Sequence, residues 1–167
     1  MLEIREGQRG DFDDIDAFVS DAISEAFHKP GLTRDEIRSN KHIAQLAYPS
    51  LIEATENADR RVYIAKIDDQ LAGFVVLKDL KAEIPEIDWL IVDRNFHGKG
   101  VAQGLMNKVL SLVADGKKLK LEVIQYNERA KAFYRKYGFI DTGIISRKLI
   151  TPRISMVRHT LLKKQFM

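Results

Sequence analysis

Apolar and polar positions change period several times along the chain, and each change marks an element. Leu2 to Arg5 alternates apolar and polar, as a short strand with one buried face does. From Asp11 the period lengthens. Phe12, Ile15, Val19, Ala22, Ile23 and Ala26 recur at helical spacing, and Asp13 and Asp14 suit the positive start of a helix that Asp11 opens. Pro30-Gly31 breaks the pattern. Thr33 and Glu36 stand at capping-box spacing and start a second helix, and Ser50 and Glu53 repeat that spacing after Pro49, predicting a third, short one.

After Arg61 the chain turns β-rich. Val62 to Ile67 and Leu71 to Leu77 are short strands joined at Asp68-Asp69-Gln70, the place of a hairpin turn. Ile84 to Val92 is a third strand, closing in the apolar run Trp89-Leu90-Ile91-Val92; Pro85 leaves its beginning unpaired or at an edge. A glycine-containing loop leads into a helix from Val101 to Ala114, with Val101, Leu105, Met106, Val109, Leu110 and Val113 as its apolar stripe. Strand Leu119 to Ile124, helix Glu128 to Tyr137, and strands Thr142 to Leu149 and Ile154 to Leu162 complete the order β-ααα-βββ-α-β-α-ββ. That order predicts an α/β fold, a mixed central β-sheet flanked by helices, formed by residues 1–167 as a single domain.

Composition narrows the function classes. The 167 residues are 45% hydrophobic, enough for one compact core. No apolar stretch approaches the roughly 20 residues that span a membrane. Met1 to Gly10 is charged and lacks an apolar signal core, so the chain reads as cytoplasmic. The absence of cysteine removes disulfides, thiolate metal sites and cysteine nucleophiles together. His28, His42 and His159 are scattered without partner spacing, and no metal site is visible. The net charge of +3 is interspersed; its densest cluster, Lys117-Lys118-Leu119-Lys120, is too small for the basic face that nucleic acid needs.

The most informative segment is His97-Gly98-Lys99-Gly100-Val101-Ala102, set between a strand and an amphipathic helix. The first N–H groups of a helix lack internal partners and sit at its positive end, which makes an anion site. Glycines allow a tight turn and a close ligand approach, and Lys99 can add a charge-assisted contact to a phosphate. An ordinary strand-to-helix turn has the same composition. The Walker ending of glycine, lysine and serine or threonine is missing, and the third glycine of a dinucleotide fingerprint is too.

With the order of elements, this loop resembles the signature of the GNAT superfamily, the GCN5-related N-acetyltransferases. Gly100-Val101-Ala102 matches the Gly-x-Ala end of that signature, and His97 stands where the family usually has glutamine or arginine. A second segment, Asn127 to Phe139, resembles the family's other signature: Asn127, Ala130, Tyr134, Gly138 and Phe139 all match. The preceding strands, Leu119-Lys120-Leu121-Glu122-Val123 and Trp89-Leu90-Ile91-Val92, are similar to the family's as well. The resemblance runs from about Val62 to Gly143 and is weak over the N-terminal helices.

The resemblance implies an acetyl-CoA-dependent N-acetyltransferase that needs no metal. The cofactor pyrophosphate is expected on the N–H groups from Gly98 to Ala102 and Gln103, and the pantetheine arm beside Leu90, Ile91 and Val92. The Val92 N–H is expected to polarise the thioester carbonyl. Asn127 is expected to hydrogen-bond the arm, a role compatible with capping its helix. Tyr134 is the expected general acid for the departing sulfur; a core tyrosine is the plainer reading. Glu122 is the expected base, or else a surface ion-pair partner of Lys118 or Lys120, with Glu83, Glu86 and Asp88 as rivals. A CoA-binding sensor, or a transferase of longer acyl groups, are the alternative functions. The helices from Phe12 to Asn57 are expected to roof the acceptor, a small-molecule amine or a protein or peptide amine. Asp35, Glu36, Glu53 and Glu56 are candidates to attract it. The edges of the C-terminal strands are candidates for homodimer pairing.

Overall fold

A computed structural model describes residues 1–114, 116–147 and 150–159. In chain order its elements are β1 (Leu2–Glu6), α1 (Asp16–Ala26), α2 (Arg34–Gln45), α3 (Ala47–Glu56), β2 (Arg61–Ile67), β3 (Gln70–Lys78), β4 (Glu86–Val92), α4 (Val101–Leu112), β5 (Lys118–Ile124), α5 (Glu128–Lys136), β6 (Phe139–Ser146) and β7 (Arg153–His159). The strands form one mixed sheet in the order β1-β2-β3-β4-β5-β7-β6. Neighbours run antiparallel except β4 and β5, which α4 connects in parallel.

Strand alternation sorts the core into two layers. Val62 and Ile64 of β2 and Phe74 and Val76 of β3 face the N-terminal helices, with Phe12, Val19, Ile43 and Leu51. Tyr63, Ala65, Val75 and Leu77 face the opposite side, where Leu105, Met106 and Val109 of α4 and Phe139 pack. The predicted α/β class and order of elements are observed. Among the described residues no helix is long and apolar enough to cross a membrane.

Local chemistry explains most boundaries. The β2–β3 hairpin turns on Asp68 and Asp69, both at positive φ (49° and 66°), as a two-residue turn of matching twist requires. The Thr33 box forms in full: its Oγ1 accepts from the Glu36 N–H, and Glu36 accepts from the Thr33 N–H, each at 3.1 Å.

Several expected boundaries move. The first helix starts at Asp16, not Asp11, because the Asp11 carboxylate accepts from the Gln8 N–H (2.7 Å) and the Arg5 guanidinium (2.7 and 3.0 Å). Those bonds tighten Arg9–Phe12 into a 3-10 turn that drives Phe12 into the core. The third helix begins at Ala47, ahead of Pro49, because a proline in the first turn removes no helical hydrogen bond. β4 begins at Glu86, with Pro85 left outside the strand. α4 ends at Leu112 rather than Ala114, and β6 begins at Phe139, straight after Gly138 (φ 91°) ends α5. The expected strand ends at Leu149 and Leu162 lie outside the described residues.

Candidate active site

The site begins with a fault in the sheet. On β3, Val76 faces Trp89 and Leu77 faces Ile87, so Asp88 is an extra residue, a β-bulge in β4. A bulge bends its strand. On its other edge β4 meets β5 only at Glu86–Lys120 and Ile87–Leu121. Beyond the bulge the two strands part and open a cleft through the sheet. The Asp93 N–H bonds back to the Ala72 carbonyl on β3 (2.8 Å). By alternation along the strand, the N–H groups of Val92 and Leu90 then face the cleft.

One mouth of the cleft is a cavity of about 580 Å³, lined by Leu90, Ile91, Val92, the 97–103 loop and the start of α5. Gly98 and Gly100 both sit at positive φ (77° and 79°), which lets the loop fold under the first turn of α4. The first helical bond runs from the Gly104 N–H to the Gly100 carbonyl (2.9 Å). The N–H groups of Val101, Ala102 and Gln103 therefore precede the helical ladder, at its positive end. His97, Gly98, Gly100, Val101, Ala102 and Gln103 line this cavity, whereas Lys99 is exposed and is not in its wall. His97 Nδ1 lies 4.0 Å from Glu25, which also pairs with Arg129 at 3.5 Å.

Asn127 and Tyr134 stand where the two halves of the cleft meet. Asn127 Oδ1 accepts from the Ala130 N–H (3.1 Å), capping α5, and its amide donates to the Ala26 carbonyl (3.3 Å). Beside it, the Tyr126 hydroxyl donates to the Phe27 carbonyl at 2.7 Å. These two bonds fasten the end of α1 over the cleft. The ring of Tyr134 is gripped edge-on by Phe133 and Phe139, with centroids 5.5 and 5.8 Å away. Burial pushes its phenol up to about 12, so it stays a protonated donor at neutral pH.

The other mouth is a cavity of about 420 Å³ beneath the N-terminal helices. Ile23 and Phe27 of α1, Ile43 of α2, and Leu46 and Ser50 around α3 form its roof. Ala26, Leu90, Ile91, Asn127, Ala130 and Tyr134 line both cavities, so the two join through the sheet. Three charged side chains reach the second cavity: Asp88, Glu122 and Arg153. Asp88 is held by Arg60 (3.3 Å) and Lys78 (3.4 Å), and Glu86 by Lys78 (3.0 Å) and Lys120 (3.8 Å). Glu122 has no ion-pair partner among the described residues, so the expected alternative of a pair with Lys118 or Lys120 does not form. Glu83 lies in the exposed turn before β4, outside both walls.

The four acidic residues expected to attract the acceptor do not line the second cavity, and each is engaged elsewhere. Asp35 pairs with Arg38, Glu36 with Lys29, Glu53 with Arg60 and Glu56 with Arg9. Sequence reasoning missed Arg129 at the first mouth, and Trp89 and Arg153 at the second. Arg129 follows the recognised Asn127 and was findable as a cation at a helix start. No local signal points Arg153 inward.

The sequence model of a family described as the acetyltransferase (GNAT) family matches residues 20–139. An uncharacterised N-acetyltransferase of Mycobacterium tuberculosis is 34% identical over 102 residues, 60% of this chain and 65% of that protein. The match thus spans a little under two thirds of that relative's length. Among solved structures, the PaiA N-acetyltransferase of Thermoplasma acidophilum, in complex with coenzyme A, has a TM-score of 0.72 at 18% identity, covering 95% of this chain and 99% of that one. The apo form of YjaB from Escherichia coli has a TM-score of 0.69 at 24% identity, covering 94% and 97%.

Proposed function

The chain belongs to the GNAT family of acetyltransferases, and from that premise we propose that it transfers an acetyl group from acetyl-CoA to a primary amine by direct attack. The observation that carries this reading is the position of Tyr134, a protonated phenol in the wall of both cavities, where the cleft crosses the sheet.

The first cavity suits the cofactor. A pyrophosphate fits the N–H groups at the start of α4, which have no helical acceptor. An extended amide-bearing arm fits the free edge of β4, where Leu90 and Val92 turn their N–H groups outward. The Val92 N–H donates to the thioester oxygen and draws charge from its carbon. An amine entering from the second cavity attacks that carbon. Glu122, which has no ion-pair partner among the described residues, accepts the amine's proton directly or through water. Tyr134 donates to the sulfur as it leaves.

The test is a calorimetric titration with acetyl-CoA beside CoA and ATP, followed by a thiol-release screen of amines. Saturable 1:1 binding of acetyl-CoA with much weaker ATP binding, and amine-dependent thiol release, are expected. Folded protein that does not bind acetyl-CoA would overturn the proposal.

A further inference from the structure

Arg153 opens β7 and stands opposite Ile124 of β5 on one side and Ser146 of β6 on the other. Cross-strand partners share a face, so Arg153 projects with Ile124 and Glu122 into the second cavity. Its Nε is buried and makes no hydrogen bond, and no described carboxylate lies within ion-pair distance of its guanidinium. This is unusual, because a half-buried guanidinium is ordinarily paired. Asp88, in the same cavity, is taken by Arg60 and Lys78. Glu122, one step along the ladder on the same face, has no ion-pair partner among the described residues either. The cavity therefore holds a cation and an anion that have no ion-pair partner among the described residues, beneath an apolar roof of Ile23, Phe27, Ile43 and Leu46 with Trp89 beside them.

A simple amine would satisfy Glu122 and leave the guanidinium bare. We propose that the acceptor carries a carboxylate as well as its amine, and that Arg153 binds that carboxylate in the second cavity. The chemical class is a free amino acid with an apolar side chain: ammonium toward Glu122 and Tyr134, carboxylate on the Arg153 fork, side chain against the roof. The inference rests on the proposed acetyl transfer and deepens it. Arg153 is a specificity residue that acts on substrate binding and not on the transferred group.

The experiment compares matched acceptors in the thiol-release assay: phenylalanine against phenethylamine and phenylalaninamide, and tryptophan against tryptamine. The amino acids should be preferred by roughly 10- to 100-fold in kcat/KM, the worth of one charge-assisted contact, with the difference mainly in KM. Arg153→Gln should collapse the preference toward one, while Arg153→Lys, which keeps the cation, restores part of it. Decarboxylated amines that match or exceed the amino acids on the unmutated enzyme would overturn the inference while leaving acetyl transfer intact. Should acetyl-CoA bind but none of these acceptors turn over, calorimetry with CoA and N-acetylphenylalanine against its carboxamide decides. Tighter binding of the carboxylate, lost in Arg153→Gln, supports the inference, and equal binding ends it. Failure to bind acetyl-CoA at all would instead strike the function itself.

Discussion

Replacing Tyr134 by phenylalanine removes one oxygen and keeps the ring. Both edge-on contacts, to Phe133 and Phe139, survive. The phenol makes no hydrogen bond to the described residues, so no folding interaction is lost, and Tm should move by less than about 2 °C. Catalysis should respond differently. A positioned acid contributes about 10²- to 10⁴-fold, or roughly 3–5 kcal/mol at 1.36 kcal/mol per decade. The phenol sits at about 12, against about 8.5 for a free thiol, so complete proton transfer would be uphill. The same dry surroundings raise the thiol, which narrows the gap. The hydrogen bond to the developing thiolate is then the main contribution, and the lower part of the range applies.

The expected result for Tyr134→Phe is a fall in kcat of about 10²- to 10³-fold in thiol release at saturating acetyl-CoA, with the calorimetric Kd for acetyl-CoA unchanged within about twofold. A kcat within about threefold of the parent would refute the assignment and leave Tyr134 as a wall residue. The pH profile gives a second reading. A raised phenol keeps its proton through pH 10, so the parent should show no loss of rate from phenol ionisation there. A falling limb near pH 10 that disappears in Tyr134→Phe would contradict the buried environment.

Three further outcomes test the rest of the site and its scaffold. Gly73→Ala places a methyl carbon 2.7 Å from the Ile91 carbonyl oxygen and 3.0 Å from Val101 Cγ1; it should cost about 1–3 kcal/mol in denaturant unfolding and weaken acetyl-CoA binding, and an unchanged midpoint would refute the close approach of β3, β4 and α4. Glu122→Gln should lower kcat/KM at neutral pH by about 10²-fold or more; a kcat/KM within about threefold of the parent would move the base to Asp88. The Arg5 hydrogen bond holds the Asp11 carboxyl below its ordinary 3.8, so its stabilisation is present above that value and is lost as pH falls through the lower folded one. Asp11→Asn should therefore be less stable than the parent at pH 7, by roughly 1 kcal/mol, with the gap closing below pH 3.8 in thermal melts; a gap constant with pH would show that the pair contributes nothing.

What the sequence disclosed and what it hid divide along the range of the interactions involved. Thr33 with Glu36, Asp68 with Asp69, Gly98 with Gly100 and Asn127 ahead of α5 act within a few residues, and each does locally what its spacing predicts. The Asp11 helix start failed because the competing partner, Arg5, lies on the preceding strand and captures the carboxylate. The cleft itself was hidden, because it depends on how far β4 and β5 stay paired. Asp88 reads as one more alternating residue until the β3 register makes it a bulge. Arg153 is the extreme case. Its direction follows from pairing with Ile124 on a distant strand, and its meaning from the absence of any described carboxylate within ion-pair distance, a property of the whole neighbourhood. Motifs thus identify the chemistry common to a family, carried by loops and helix starts. The residue proposed above to choose the acceptor, Arg153, lies on a strand whose facing is set by tertiary register. For this chain the choice of acceptor is accordingly to be sought at Arg153 and the helical roof.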